Sequence, residues 1–534
     1  MANRRLRVPR EDGSILAVPA LDAWPRSLEN NLRLFSQGSL TIGGMPLVQL
    51  RALARRELWQ AASEYGARFG EPEMPSPTVS APWIATGHQP ELYHPGVWIK
   101  NFATAKLADR VRGVGVHVLI DNDTMKRASI LVPSGKPRAP YLAGIPFDRW
   151  ESEIPFEERE VVDSTIFARF AAEVARAMAD YPFQPLVGEY WEKVLSAGKV
   201  TAKVGERLAA GRRALERAFG CWLLEVPLSA LCRTSSFRRL AAEILLRLPE
   251  FLDIHNQELE VYRRANRVRS RNHPVPALER DADTIESPFW IWSSAHPGRR
   301  HLFLRWNRDR WTVLAGNEVV GVLPANGTDM HAVLADALRV ELGEWKIRPR
   351  ALLTTLFLRL LIGDLFIHGV GGGKYDELTD RIIARFFGIE PPEFSILSAT
   401  AILPTGTEAG DELRRTQLAR VQRDLLWNPD RYLDDSLREQ EPISAWIEDK
   451  YELFESDGES PPERRARFEQ FRSINENLRR YLGKQTEDAR RELDRLNEAS
   501  RSAGALRSRE FAFCLFPRES IDRLGRRIQF PVID

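Results

Sequence analysis

Residues 83–123 constrain the fold more than any other stretch of the chain. Trp83-Ile84-Ala85-Thr86-Gly87-His88-Gln89-Pro90 reads as a short buried strand that ends in a polar loop. The loop continues through His94-Pro95-Gly96 into Trp98-Ile99-Lys100-Asn101, the start of a helix expected to reach about Arg112. After Gly113-Val114-Gly115 comes a second apolar strand, Val116 to Ile120, closed by Asp121-Asn122-Asp123. A strand, a helix and a strand in this order make a βαβ unit. Such units have parallel strands and, almost always, a right-handed crossover. Ligands of parallel sheets bind beyond the carboxyl ends of the strands. The His88 loop and the Asp121–Asp123 cluster both fall at such ends, so a small-molecule or nucleotide site is expected there.

A chain of 534 residues is longer than one hydrophobic core serves, so two or three units are expected. The division read from the pattern is a helical segment at 1–80 packing on the core and a core at 81–404 with insertions at about 129–220 and 286–325. A helical region at 405–510 and a segment at 511–534 returning to the core complete it. Hydrophobic residues make up 43% of the chain, and 14 of its residues are Trp, which argues against disorder. Lys+Arg 76 against Asp+Glu 74 leaves net +2, so no nucleic-acid-binding surface is expected. The five arginines between Arg263 and Arg271 read first as a solvated helix face. Cys221, Cys232 and Cys514 form no disulfide framework and no metal knuckle, and each stands in apolar surroundings, as buried thiols do. The N-terminus carries no apolar signal region. The longest apolar run, Ala351 to Val370, is interrupted by Arg359 and Asp364 and reads as a buried helix rather than a membrane span. A cytoplasmic protein without membrane contact is the expectation.

Outside the βαβ unit, Leu47 to Tyr65 is the clearest helix of the first eighty residues. Short proline-bounded strands are expected at Ile130 and Tyr141, and helices at about 164–181 and 201–219. Val226 to Leu231 reads as a further core strand. A helix capped by Ser235 and Ser236 follows, and then another from about Pro249 to Ser270. From Pro288 to Pro324 the apolar period changes to two, with Gly, Asn and Asp turns, which predicts an antiparallel meander. Helices are expected at about 330–341 and 375–387, the second after a glycine-rich turn. Leu413, Leu418, Val421 and Leu425 mark one later helix. Phe468, Phe471, Ile474, Leu478, Leu482, Ala489, Leu493 and Leu496 mark a longer one on a charged background. Two such helices predict an antiparallel pair or a coiled coil, and a homodimer through it.

The strongest candidate residues are His88, Gln89 and His94. Two imidazoles beside a helix N-terminus suit a phosphate, aided by exposed backbone N–H groups. Nucleotidylyltransferases place histidines in a similar loop after their first strand. His88, His94 and Asp123 are also competent metal ligands, but nothing in their spacing fixes a coordination geometry, and no metal is expected. Gly371-Gly372-Gly373-Lys374-Tyr375-Asp376 is the second candidate, since glycine amides can cradle an anion at the start of a helix. Its spacing is not that of a P-loop. Asp364 and His368 stand just upstream. Thr86, Gly87, Lys100, Asn101, Asp121, Asn122, Arg348 and Arg359 complete the set expected to contact substrate or nucleotide.

The order of these blocks resembles the bacillithiol-biosynthesis cysteine-adding enzyme family over nearly the whole chain. Thr86-Gly87-His88-Gln89-Pro90 resembles that family's Thr-Gly-Gln-Gln strand end. Asn272-His273-Pro274-Val275-Pro276, after a long helix holding Asn256, resembles its Gly-Tyr-His-Pro-Gln segment. Arg348-Pro349 through Asp364 to Gly371-Gly372-Gly373 resembles its Arg-Pro…Gln-Asp…Gly-Gly block, followed by the Phe386-Phe387-Gly388-Ile389 turn. Leu515-Phe516-Pro517 resembles its closing Leu-Phe-Pro. The resemblance implies a Rossmann-like core similar to nucleotidylyltransferases, connecting insertions, and a dimerising helical coiled coil. It also implies a ligase-like reaction joining cysteine, or another amino acid or amine, to a small sugar- or nucleotide-like acceptor, with ATP or ADP as the nucleotide. In that reaction His88 or His94 would stabilise a phosphate, and Asp121 or Asp123 would bind the incoming amine or take its proton. Asp121-Asn122-Asp123-Thr124-Met125-Lys126 departs from the family's Glu-Asp-His-Asp run, and Lys374-Tyr375-Asp376 departs from its Pro-Gly-Glu. Two alternatives therefore stand beside the ligase: a nucleotidylyltransferase-like enzyme, and a non-catalytic nucleotide-binding dimeric scaffold.

Overall fold

The computed structural model describes residues 6, 8–37, 39–72, 76–78, 80–137, 140–270, 272–307, 310–325, 328–340, 342–405, 410–455 and 461–530. Arg271 of the arginine run lies outside them, as do the first five residues.

A mixed α/β architecture is built on a six-stranded sheet. Its strands are β1 (Ile15–Val18), β2 (Trp83–His88), β3 (Val114–Leu119), β4 (Leu224–Pro227), β10 (Leu365–His368) and β11 (Phe394–Ala399), in the order β1-β11-β10-β2-β3-β4. All pair in parallel except β1, which runs antiparallel to β11. Ile84 stands opposite Gly115 and Val118 opposite Val226, so the three strands expected to be neighbours are neighbours. Alternation along β2 sends Trp83 and Ala85 into one core and Ile84 into the other. Helices cover both faces, as a parallel sheet requires. Helix α1 (Leu47–Arg68) packs on the first face and α2 (Pro95–Arg110) on the second.

The second sheet is antiparallel: β5 (Thr284–Trp292), β6 (Arg300–Asn307), β7 (Arg310–Ala315), β8 (Glu318–Pro324) and β9 (Lys346–Pro349), in the order β8-β7-β6-β5-β9. Four of these are the expected meander. The fifth, β9, adds to β5 and delivers Pro349 and Arg350 to the top of the first sheet. A hairpin joins 129–134 to 141–146. Helices at 410–427, 443–455, 461–479 and 483–506 pack around Leu425, Leu433, Ile443, Leu478 and Leu482. The chain then returns to the main body, where Phe513 is fully buried, its ring 4.6 Å from that of Trp98.

Several expectations are corrected. The first eighty residues, read as a mostly helical segment, also supply the edge strand β1 at Ile15–Val18. The strand expected at 226–231 ends at Pro227, and Leu228–Leu231 is a helical turn. The apolar run 351–370 is not one helix. It is a helix, α3 (Ala351–Phe357), a wide π-helical turn (Leu358–Ile362) and then β10. Gly363 makes the break by lying against Ala85, where a side chain would meet its Cβ at 3.3 Å. The glycines at 371–373 form no separate loop: they are the first turn of α4 (Val370–Ile382), with Gly369 as its cap. No helix among the described residues is long and apolar enough to cross a membrane.

Candidate functional site

The connections that leave the neighbouring strands β2 and β10 diverge, because β3 lies on the far flank of β2 and β11 on the far flank of β10. A crevice opens at the carboxyl ends of strands where the order reverses in this way. A cavity of about 700 Å³ occupies it, bounded by Gly87 and His88 of β2, His368 of β10, Ser398 of β11, and Asn122 and Asp123 beyond β3. That volume is in the ordinary range for small-molecule sites.

Two helices begin at this cavity. His94 caps α2, and Gly96 and Val97 of its first turn line the wall; Gly369 caps α4, and Val370, Gly371 and Gly372 do the same. At α2 Pro95 has no N–H and those of Val97 and Trp98 lie 3.0 and 3.4 Å from the His94 carbonyl oxygen, which leaves Gly96 as the donor of that turn; the positive end of each helix dipole favours an anion. Gly96 is required by close approach. A Cβ there would stand 2.0 Å from the Ala399 carbonyl oxygen and 2.6 Å from Nη2 of Arg509.

Lys100 rises from the second turn of α2. It is buried, its Nζ donates to the Gly87 carbonyl at 3.0 Å, and no carboxylate among the described residues lies within ion-pair range. Burial draws its amine down to about 8. Arg509 reaches the same cavity from the far end of the chain. Its Nη2 donates to Ser398 Oγ at 2.9 Å and lies 3.5 Å from Nδ1 of His94, while Nε and Nη1 make no hydrogen bond. The nearest carboxylate to Arg509, that of Glu510, is 3.5 Å away and largely exposed.

The two histidines are neutral. Nδ1 of His88 lies 3.1 Å from the Gln89 carbonyl oxygen, which makes Nδ1 the donor and leaves the lone pair on Nε2. Burial, with Lys100 nearby, holds its pKa well below the usual imidazole value. His94 falls to about 4 through burial and the charge of Arg509. The expectation that His88 stabilises a phosphate is therefore revised. A neutral ring with its only proton committed to a carbonyl offers an anion nothing, but it can accept a proton. Asp123 completes the polar end: it accepts from Gln89 at 2.8 Å and from Arg299 at 2.9 Å.

Of the expected residues, the cavity gathers Gly87, His88, Gln89, His94, Lys100, Asn122, Asp123, His368, Gly371, Gly372 and Tyr375. The others are placed elsewhere, each for a visible reason. Thr86 donates to the Ile367 carbonyl between two strands, and Asn101 donates to Glu216. Asp121 is committed to the backbone N–H and hydroxyl of Ser229, and burial pushes its carboxyl up to about 7. Arg348 holds Glu157 through two hydrogen bonds of 2.9 and 2.8 Å. Arg359 is fully buried between Asp376 and Asp380. Asp364 lies at the opposite, amino end of β10, bonded to Arg51, Arg55 and the Trp83 amide. Gly373 packs on Ile396, where a Cβ would meet side-chain carbons at 2.4 Å, and Lys374 is exposed. Asp376 accepts from His368 at 2.7 Å and from Thr355 at 2.7 Å, so these two residues pin the first turns of α4 to the strand end. Arg299, Arg350, Ser398, Arg509 and the histidine His255 also line the cavity and carried no local signal in the sequence. No group of three or more His, Cys, Asp or Glu residues able to hold a metal ion occurs among the described residues.

No family model matches this chain, and no curated protein matches it significantly.

Proposed function

We propose that this chain is a condensing, ligase-like enzyme of the bacillithiol cysteine-adding type, with a Rossmann-like core, whose anionic substrate or nucleotide binds at the carboxyl ends of the parallel strands. Lys100 carries the reading. A buried ammonium with no carboxylate partner is costly, and here it stands beside a cavity that two helix N-termini also face. An anion would relieve all three groups at once, with Arg509 at its flank. A phosphate of ATP or ADP fits this donor set, and such a nucleotide would supply the activation that a carboxyl needs before an amine can attack it. As the amine attacks that carboxyl and the new C–N bond forms, the carboxyl C–O bond to the activating phosphate would break, the phosphate would leave toward Lys100, and His88 Nε2 would take the proton lost by the amine. Asp123 offers the approaching ammonium a negative charge at the polar rim. The helices at 410–427, 461–479 and 483–506 would pair two copies of the chain.

Titration calorimetry with pyrophosphate, ADP and ATP tests the anion site. Mass detection of the condensation product from cysteine and glucosaminyl-malate, with and without ATP, tests the reaction. Binding lost in Lys100→Met, together with product in the wild type, is the expected outcome. Failure of all three anions to bind would overturn the site. Binding without product for any amine would leave a nucleotide-binding scaffold, and pyrophosphate release with nucleotidyl transfer would mark the nucleotidylyltransferase.

A further inference from the structure

An amine that becomes an amide sheds two protons. It arrives at neutral pH as an ammonium without a lone pair, so one proton must leave before it attacks and a second as the C–N bond forms. His88 accounts for the second. Asp123 can attract the ammonium, but it is already held by Gln89 and Arg299.

His368 ends β10, the strand beside β2, where Ile367 stands opposite Thr86. The pleat turns its ring to the face of Phe366, with 4.5 Å between ring centres, whereas the ring of His88 lies 4.7 Å from that of Tyr93 on the other face. The two imidazoles therefore reach the cavity from opposite faces of the sheet. Asp376 sets the tautomer of His368. Its Oδ2 lies 2.7 Å from Nε2 of His368 and accepts from Nη1 of Arg359 at 2.6 Å, and its Oδ1 accepts from Thr355 at 2.7 Å. Burial works against the charge of Asp376, but Arg359 and His368 outweigh it and hold the carboxyl well below the usual carboxylate range. An ionised carboxylate only accepts, so Nε2 carries the proton and Nδ1 the lone pair. Nδ1 is bonded to no described residue and opens on the cavity. Gly372 gives it room, since a Cβ there would lie 2.8 Å from Nδ1. Burial keeps the imidazole below its usual value; of its charged neighbours, Asp376 favours a proton on it, and Arg359 and Lys100 oppose one.

We infer that His368 is a second catalytic base of this cavity, taking the first proton of the bound ammonium at Nδ1, and that Asp376 is its positioning residue. The inference rests on the condensation proposed above. The ammonium passes one proton to His368 and becomes a neutral amine, whose lone pair attacks the activated carboxyl. The second proton goes to His88 as the C–N bond forms and the bond to phosphate breaks. The imidazolium at His368 is balanced by Asp376 until product leaves and solvent takes its proton.

The test runs the full chain with cysteine and ATP against two nucleophiles. Like an α-amino group of pKa about 8, the amine of glucosaminyl-malate is almost wholly protonated at pH 6, whereas hydroxylamine, a much weaker base, is about half uncharged there. His368→Gln keeps a donor for Asp376 and removes the base. It should lower kcat with glucosaminyl-malate about tenfold or more at pH 6, but kcat with hydroxylamine by less than about threefold, and the deficit should fade by pH 9. His88→Ala should slow both nucleophiles. Gly372→Ala, which sets a methyl against Nδ1, should reproduce the pattern of His368→Gln, and it decides the question if circular dichroism shows His368→Gln unfolded. Equal losses with both nucleophiles, or a deficit unchanged by pH, would overturn the inference and leave the condensation standing. The wild type reads it as well: its kcat with glucosaminyl-malate should stay nearly level from pH 7 to 6, and a fall of about tenfold, the mark of an amine that loses its proton to solvent, would overturn the second base. Product from neither nucleophile overturns the condensation, and this inference falls with it.

Discussion

Replacing Lys100 by Met should stabilise the protein while abolishing anion binding. A fall in pKa from 10.5 to about 8 means that folding disfavours the charged amine, by about 3 kcal/mol at roughly 1.4 kcal/mol per tenfold. Methionine fills similar space without the charge. It leaves the Gly87 carbonyl without its 3.0 Å donor, a loss of about 1 kcal/mol. The net gain expected at pH 7 is about 2 kcal/mol, read as a higher urea midpoint at constant slope. The sign of the pH dependence follows from linkage. Below pH 8 both folded and unfolded chains hold the proton, and the folded state carries the full penalty. Between about 8 and 10.5 the unfolded chain still holds the proton that the folded chain has released, so wild-type stability from this group rises with pH. The advantage of Lys100→Met should therefore shrink over that interval, cross zero before its top and end as a deficit of about 1 kcal/mol, the lost hydrogen bond to Gly87. Pyrophosphate binding to the wild type at pH 9 should be accompanied by proton uptake, measured by calorimetry in buffers of different ionisation enthalpy. A Met variant less stable than wild type at pH 7, or an advantage flat from pH 7 to 10, would refute this account of Lys100.

Gly96→Ala should destabilise, although alanine normally favours a helix, because the added methyl would lie 2.0 Å from a backbone carbonyl that cannot move freely; a loss of about 2 kcal/mol or more in the urea midpoint is expected. Asp364→Asn should cost about 3–5 kcal/mol by leaving Arg51 and Arg55 buried beside a neutral group, yet the folded fraction should bind pyrophosphate as before, since Asp364 lies at the other end of its strand. His88→Ala should keep its melting temperature within a few degrees and lower turnover at least tenfold in the condensation assay, with anion affinity unchanged. Light scattering should return twice the 60.9 kDa chain mass, and a monomer at both low and high salt would count against the helical dimer.

The β2-α2-β3 unit was legible because its elements are contiguous and their apolar periods are clean. The strand β1 was not: Ile15–Val18 is four residues long, and what makes it a strand is a partner at Ile396–Ala399. The same distance in sequence hid most of the site's polar setting. Arg509 reaches His94 across 415 residues, and nothing around it announces a cavity. Asp364 and Arg359 drew attention for the right reason, being charges in an apolar run, but that feature does not distinguish a ligand group from half of an ion pair. Their partners, Arg51 and Arg55 for one and Asp376 and Asp380 for the other, settle it. The glycines at 371–373 were read as a loop, since glycine usually breaks a helix. Packing overrides that preference here: Gly373 must lie on Ile396 and Gly372 on the His368 ring, so the residues that weaken the helix also let it start flush against the strand end.

What separates structural from functional charge in this chain is compensation rather than burial. Arg212, Arg348, Arg359, Asp364 and Asp376 are as deeply buried as Lys100, and each has an oppositely charged partner supplied by the fold. Such pairs are complete without a ligand, so the fold keeps them for itself. Lys100 has a backbone carbonyl and the positive ends of two helices for neighbours. His88 and His94 cannot share the anion's charge with it, because the surrounding positive potential and burial keep them neutral. The positive field of this cavity thus rests on Lys100, Arg509 and backbone N–H groups, and the histidines that first marked the loop are left free for proton transfer. Under the proposed function, an anion supplied from solution is the partner that would balance Lys100.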